Sequence, residues 1–471
     1  MATLTFYGAI EGVTGSMYLL DTGKYKVLLD CGLFQGRKEE EKNNYKPLPF
    51  YVSDIDAVVL SHAHLDHSGR LPILARDGYN KPIYMTRPTK DLIEVLLKDA
   101  ASLQEKDAEW ENKKRKRAGK KLIEPLYREE EVDGVMLLCQ GIKYGKRITI
   151  VPGVEICFRD AGHILGSAIV EIFIEHGNHH RKLVFSGDLG NSQAALLRDP
   201  EVITEADVVL METTYGDRNH RSMEETLDEF EQVIEEASQN GGNILIPSFA
   251  VGRTQEIIFR LGELFQKGKL THQRVYLDSP MAIAVTEIYQ KYQDVFNDED
   301  MAEINESAQL MHSKSRSLHS LLPMLKYSTT TEESISLNKV VSGAIIIAGS
   351  GMCNGGRIKH HLKQNLWRKQ SHVIFVGFQA VGTPGRSLVD GIKRIKMAGD
   401  DIAVNAQIHT MGGFSAHASQ SQLLDWLSHF TNKPRLYLVH GEQDTKVQFQ
   451  QVAKQHNWHA NIPELGQRIE I

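Results

Sequence analysis

The stretch Ser61-His62-Ala63-His64-Leu65-Asp66-His67-Ser68-Gly69 limits what this chain can fold into more than any other. It follows Asp56-Ala57-Val58-Val59-Leu60, an apolar run that reads as a buried strand. A strand, a tight loop and a helix opening near Ser68 put four metal-competent side chains into a few consecutive positions. Three imidazoles and a carboxylate at H-x-H-x-D-H spacing cannot all face one ion comfortably. They can serve two adjacent ions, with His62 and His64 on one and Asp66 and His67 on the other. Imidazole nitrogen with carboxylate oxygen suits Zn²⁺ and tolerates Mn²⁺. The bland alternative is a chance histidine cluster on a solvated loop, and the apolar strand before it argues against that.

The chain has 471 residues, 41% hydrophobic and 24% charged, enough for two or three domains with real cores. Its net charge of -6 gives no global polybasic signature, so a nucleic-acid partner must be held by a local patch or by metal. The four cysteines, Cys31, Cys139, Cys157 and Cys353, are widely spaced. That pattern predicts a reducing compartment, with neither a disulfide frame nor a cysteine zinc site. The first residues read at once as a strand, and no long apolar span follows. A soluble, cytoplasmic protein without membrane contact is expected.

Residues 3–8, 17–20 and 25–30 read as strands of a meander. Asp30 ends the last of them and is either a turn cap or an orienting partner for a ligand histidine. A long helix is expected from Pro88-Thr89, with Leu92, Ile93, Leu96, Leu97, Ala100 and Leu103 on one face. It should fade into the basic run 113–121, read either as a solvated helix end with a mobile loop or as a phosphate-backbone contact. His163 follows strands at 147–151 and 154–159, in a glycine-flanked turn. Asp188 ends the strand Leu183-Val184-Phe185-Ser186-Gly187. It is either an ordinary loop residue or a carboxylate reaching two metals. Together His163 and Asp188 would complete the ligand set that the His62–His67 loop leaves unfinished.

The strand Asp207–Met211 ends at Glu212. Helical periodicity then alternates with apolar strands at 243–246, 274–277, 344–347 and 372–376, the pattern of a parallel α/β sheet. Residues 213–393 are expected to form this second domain, inserted between 1–212 and 394–471. Arg253 and the Ser350-Gly351 pair lie at strand-to-helix turns, where backbone N–H groups can face anions. The segment 295–335 reads as polar and helical, with no chemistry. Near the end come His409, then Ser415 and His417, and the apolar strand Leu436–Val439 ending at His440. Alone, His417 or His440 would more often be structural. With the earlier set they supply a missing ligand and a missing proton donor.

In these residues the chain resembles the metallo-β-lactamase superfamily, and within it the β-CASP nucleases. Asp30, His62-Ala63-His64-Leu65-Asp66-His67, His163 and Asp188 look like the four superfamily motifs in order. Glu212, His417 and His440 look like the three β-CASP motifs. The resemblance implies an α/β fold, an αββα sandwich split by an inserted β-CASP domain that caps the active-site cleft. RNA-directed members carry histidine at the third β-CASP position, whereas DNA-repair members typically carry valine, so His440 points to RNA. The resemblance implies a member expected to lack the amino-terminal KH domains and the ribonuclease J-type carboxyl-terminal extension. The chain is therefore similar to a compact bacterial relative of the pre-mRNA 3′-end processing endonuclease.

Combining both lines, His62, His64 and His163 would hold one Zn²⁺, Asp66, His67 and His440 the other, and Asp188 would bridge. Asp30 would orient a ligand. His417, with Glu212 raising its basicity, would be the general acid. Ser415, Arg253, Ser350 and Gly351 would grip neighbouring phosphates. The expected activity is zinc-dependent hydrolysis of single-stranded RNA, by internal cutting or from the 5′ end. A DNA nuclease, a small-molecule hydrolase of the same superfamily and a non-catalytic scaffold are the competing expectations. A homodimer is plausible for a protein of this kind.

Overall fold

The computed structural model describes residues 2–36, 38–177, 179–270, 274–310 and 317–471. The chain divides into two compact units, one of residues 1–192, 199–219 and 417–471, the other of 193–198 and 220–416.

In the first unit, two seven-stranded sheets stack face to face. The first runs in the order Arg468–Glu470, Thr3–Gly8, Met17–Asp21, Lys26–Leu29, Ala57–Val59, Ile83–Thr86 and Cys139–Ile142. Its opening strand alternates, burying Leu4 and Phe6 between half-exposed Thr3, Thr5 and Tyr7, as a strand with one covered face must. The inner strand Ala57–Val59 is buried at every position. The second sheet runs Ala460–Asn461, Arg435–Val439, Val208–Glu212, His179–Phe185, Ala168–His176, Val154–Asp160 and Ile148–Val151. The inner faces meet in one core, where Tyr18 of the first sheet lies edge-on to Phe185 of the second, ring centroids 5.3 Å apart.

Helices cover both outer faces. Gln420–Ser428 and Gln443–Gln455 bury Leu423, Trp426, Leu427 and Phe449 against the second sheet. On the other side, Arg87–Arg117 lies against Ile83–Thr86 and Cys139–Ile142. This is the expected αββα sandwich. Thr86 caps that long helix by accepting from Thr89 N, and Leu92, Ile93, Leu96, Leu97 and Ala100 are buried along it. Leu103, expected on the same face, is 54% exposed. The helix also does not fade into the basic run but continues through Arg117. The following chain turns at Gly119 and folds back along it, with Asn112 and Ile123 exchanging two hydrogen bonds.

The second unit holds a six-stranded parallel sheet in the order Leu325–Tyr327, Arg274–Leu277, Ala344–Ala348, Ile244–Pro247, His372–Phe375 and Gln407–Thr410. The strand Gln407–Thr410 pairs with His372–Phe375, so residues 394–416 fold with this unit, past the boundary at 393 drawn from the sequence. The pattern change after 393 is real, a two-stranded hairpin of Arg394–Met397 and Asp400–Ala403, but the chain then returns to the sheet. The segment 295–335 contains helices Asp298–Leu310, Leu318–Leu321 and Thr331–Leu337, and also the edge strand Leu325–Tyr327. Its residues 311–316 lie outside the described residues.

Candidate metal centre

The donors of the centre follow strand ends of the first unit, Asp66 and His67 on the short helical turn Leu65–Ser68. Asp30 follows Lys26–Leu29, the His62–His67 loop follows Ala57–Val59, and His440 follows Arg435–Val439. Asp30 and His440 adopt φ of +55° and +49°, a left-handed conformation that non-glycine residues seldom take. Both are fully inside the protein. The parallel register that sets Glu212 beside Val439 brings His440 next to Thr213-Thr214. His440 Nδ1 stands 3.2 Å from Thr214 Oγ1.

Two groups of donors form. In one, His62 Nε2 and His163 Nε2 each lie 3.1 Å from His64 Nδ1, and both are 3.5 Å from Asp188 Oδ2. In the other, His67 Nε2 lies 3.1 Å from His440 Nε2, with Asp66 Oδ2 at 3.6 Å from the latter. Asp188 stands between them, its Oδ1 at 3.3 Å from His67 Nε2 and 3.4 Å from His440 Nδ1.

These residues fit bound metal. Three ring nitrogens crowd together where hydrogen bonding among them cannot satisfy all three, and tetrahedral zinc would space its ligand nitrogens about 3.3 Å apart. Asp188 Oδ1 is buried and accepts no hydrogen bond, an arrangement that costs free energy unless a cation faces it. Burial, then His67, hold the His62 imidazole well below its ordinary range. Burial also lowers His64. At Asp66 burial acts upward, but the His440 hydrogen bond and nearby imidazoles outweigh it and bring the carboxyl to about 2. At Asp188 burial is likewise outweighed, by His440, His67 and His62, and the carboxyl lies well below the usual range. At His67 burial acts downward, but Asp188 and Asp30 outweigh it and hold the imidazole well above its ordinary range. Neutral imidazoles and ionised carboxylates are the forms that ligate metal, so binding there would release a proton.

Asp30 receives Nδ1 of His67 at 2.6 Å, Ser16 Oγ at 2.9 Å, and Ser61 N and Oγ at 2.8 and 3.0 Å. One of these partners, His67, is itself a candidate ligand. Ser16, Ser61 and Thr214 were missed by sequence reasoning. Ser61 and Thr214 do adjoin motif residues, whereas nothing around Ser16 marks it.

Beside the donors, Glu212 is fully buried. Its Oε1 accepts from Leu189 N at 2.7 Å and lies 3.1 Å from His417 Nδ1, and its Oε2 accepts from Thr214 N at 3.1 Å. His417 Nδ1 is 4.0 Å from Asp188 Oδ2, and its ring lies tilted against that of His163, centroids 4.4 Å apart. Burial acts to lower the His417 imidazole, but Glu212 outweighs it and raises the group to about 9.

The four expected phosphate contacts all belong to the second unit. Arg253 and Ser350 follow the adjacent parallel strands Ile244–Pro247 and Ala344–Ala348 at their carboxyl ends. Gly351 lies under the ring of Phe249. Arg253 is buried and ion-paired with Glu256, so its charge is already partnered. Ser350 Oγ accepts from Gly355 N at 3.2 Å. Ser415 follows the short helical turn Gly412–Phe414.

A sandwich of two stacked sheets with histidine and aspartate donors gathered at its strand ends defines a metallo-β-lactamase-type hydrolase. The model described as the metallo-beta-lactamase superfamily matches residues 10–235. The Beta-Casp domain matches 254–388, and a Zn-dependent metallo-hydrolase RNA specificity domain matches 401–463. The chain is 37% identical to Ribonuclease TTHA0252 of Thermus thermophilus, over 99% of both chains. It is 32% identical to Transcription termination factor FttA of Methanosarcina mazei, over 94% of this chain and 67% of that protein. A crystal structure of a protein of unknown function from Enterococcus faecalis superposes with a TM-score of 0.54 at 14% identity over 99% of both chains, which shows shared fold. The chain belongs to the β-CASP ribonuclease family of the metallo-β-lactamase superfamily.

Proposed function

We propose that this protein hydrolyses phosphodiester bonds of single-stranded RNA with two zinc ions. The observation that carries the reading is the pair of donor groups on either side of Asp188, one gathering His62, His64 and His163 and the other Asp66, His67 and His440. His62, His64 and His163 would hold one ion, Asp66, His67 and His440 the other, with Asp188 shared. Bound there, zinc would supply a nucleophilic water near neutral pH and offset charge at the scissile phosphate.

The chain's own residues do the rest. Asp30 accepts a hydrogen bond from Nδ1–H of His67 and so turns the Nε2 lone pair toward the ion. Glu212 accepts from His417 Nδ1–H and stabilises the imidazolium, the form in which Nε2 also carries a proton. His417 then donates that proton to the departing 3′-oxygen, which would otherwise leave as a poor alkoxide. Attack of water at phosphorus leaves a 5′-phosphate and a 3′-hydroxyl. Ser350 and Gly351 are proposed to hold neighbouring phosphates through their turn, as is Ser415. Arg253, committed to Glu256, acts at most through the helix it opens. Among the described residues no helix is long and apolar enough to cross a membrane, in keeping with the cytoplasmic setting we propose.

Zinc-loaded protein given RNA labelled differently at its two ends, beside DNA of the same sequence, tests this. RNA cleavage abolished by chelator supports it, and the fragments separate internal cutting from 5′ removal. Cleavage of DNA alone would overturn the RNA assignment drawn from His440.

A further inference from the structure

The basic run that the hydrolytic centre does not use is a built feature of the fold. Seven cations fall within residues 113–121, in a chain whose net charge is -6. Lys113, Lys114, Lys116 and Arg117 project from the last turns of the helix Arg87–Arg117, and Lys120 and Lys121 from the returning strap, all exposed. The strap is fastened rather than loose. Lys120 N donates to Arg115 O at 2.9 Å, and Arg115 Nε to Lys121 O at 2.7 Å. Asn112 brackets Ile123 on both sides at 2.8 and 2.9 Å, and Leu126 N reaches Gln104 Oε1 at 3.1 Å.

Among the described residues only Arg115 of the seven is ion-paired, with Glu111 at 3.8 Å. The neighbouring acids Glu105 and Glu124 are drawn to Arg128 instead, which leaves Asp107 and Glu109 as the nearby opposing charges in sequence. Trp110 is 61% exposed one turn before the cluster, and Lys114 Nζ lies 3.1 Å from its ring centroid. A helix end gains from one or two cations. It does not call for six exposed ones beside an exposed tryptophan.

The other end of the same helix is tied to the metal centre. Thr86 and Thr89 hydroxyls donate to Gly166 O at 2.6 and 2.8 Å, in the loop that carries His163. The 31-residue helix is therefore a rod of about 45 Å between that loop and the basic tip. At ~3.4 Å per stacked nucleotide this spans roughly 13 nucleotides.

We infer that the tip formed by Lys113–Lys121 and Trp110 is a remote anchor for the phosphate backbone of RNA, engaged only by substrates long enough to reach it from the metal centre. The inference rests on the ribonuclease reading above for the identity of its ligand. It adds a length dependence that the centre alone would not produce.

The test compares full-length zinc-loaded protein with a variant carrying Lys113→Gln, Lys116→Gln, Arg117→Gln, Lys120→Gln and Lys121→Gln. Binding of an unstructured 40-nucleotide RNA and of an 8-nucleotide RNA is followed by fluorescence anisotropy across a salt series. Wild-type protein should bind the 40-mer more tightly and with a steeper salt dependence. The five substitutions should weaken 40-mer binding at least tenfold near ~0.1 M salt. They should also flatten the log–log slope by about 3–4, five contacts at ~0.7 each. Binding and cleavage of the 8-mer should not change. Lys120→Gln with Lys121→Gln, outside the helix, should flatten the slope by about 1.4 with no change in melting temperature.

Equal weakening for both lengths, or none, overturns the anchor. So does a loss of thermal stability with 40-mer binding intact, which would reduce the cations to a helix-end role. Tight, tip-dependent binding of RNA that is never cut would leave the anchor standing and sink the ribonuclease reading instead.

Discussion

The Asp30 carboxylate stands 2.6 Å from Nδ1 of His67, a residue 37 positions later, and the two are joined again through Ser61. The pairing turns the opposite ring nitrogen of His67 toward His440 and Asp188. Asp30→Ala should therefore lower zinc affinity by about 10–100-fold while the fold persists. Zinc content measured after dialysis against a graded chelator reports this directly. Unchanged retention would mean that Asp30 merely caps its strand.

His417 and Asp188 should fail in different ways. His417→Ala should keep its zinc and lose roughly 10²–10⁴-fold in kcat on RNA, the usual worth of a general acid. Asp188→Ala should lose at least one ion. Metal analysis beside single-turnover kinetics separates the two, and a collapse of metal content in His417→Ala would move that imidazole among the ligands.

Gly32 marks a close approach of two loops. A Cβ there would overlap the carbonyl of Asp66 and crowd the amide of His67. Cys31 N meanwhile donates to His67 O at 2.8 Å, so the two segments cannot easily part. Gly32→Ala should displace the Asp66-His67 pair, with loss of metal from that side and of activity. Wild-type activity and metal content in this variant would show the loops to be more yielding than their hydrogen bonds suggest.

The second unit carries an acid-sensitive knot. Asp278, fully buried, accepts from His361 Nε2 at 2.5 Å, Ser334 Oγ at 2.6 Å and Arg357 Nη1 at 2.7 Å. Burial pushes its carboxyl up, but the His361, Ser334 and Arg357 hydrogen bonds outweigh that and hold it below the ordinary range. The folded form thus binds its proton less readily than the unfolded chain. The stabilisation is complete above the usual aspartate range near ~4 and drains away as pH falls through the lower folded value. Asp278→Asn should cost about 3 kcal/mol at pH 7 by leaving Arg357 uncompensated. Denaturant midpoints should converge with wild type as the pH drops toward 3. A gap that persisted would put the loss down to packing.

How much could be read in advance follows from how local each feature is. The His62–His67 set was legible because a strand followed by a tight turn fixes its geometry within a few residues. Asp30, Asp188 and His440 were legible as acid or imidazole at the end of an apolar strand. The same local logic gave the alternating α/β stretch, whereas the sandwich was implied by the family resemblance. Local patterning also gave the rise of the long helix from Pro88-Thr89, though not its reach to Arg117.

What only the tertiary structure decided depends on partners far along the chain. Glu212 and His417 meet across 205 positions, and His67 and His440 across 373. Those meetings come from the parallel pairing of Val208–Glu212 with Arg435–Val439 and from the stacking of two sheets, neither of which leaves a local trace. Arg253 reads as a free cation until Glu256 closes on it, and residues 394–416 read as a return to the first unit until Gln407–Thr410 pairs back into the second. The basic run reads as a loose end until Asn112 and Gln104 pin the strap to the helix. Short-range spacing and apolar periodicity are written in neighbouring residues, so the sequence determined which side chains could bind metal. Long-range hydrogen bonds and sheet order exist only once the chain has closed on itself, so the fold decided which of those side chains meet.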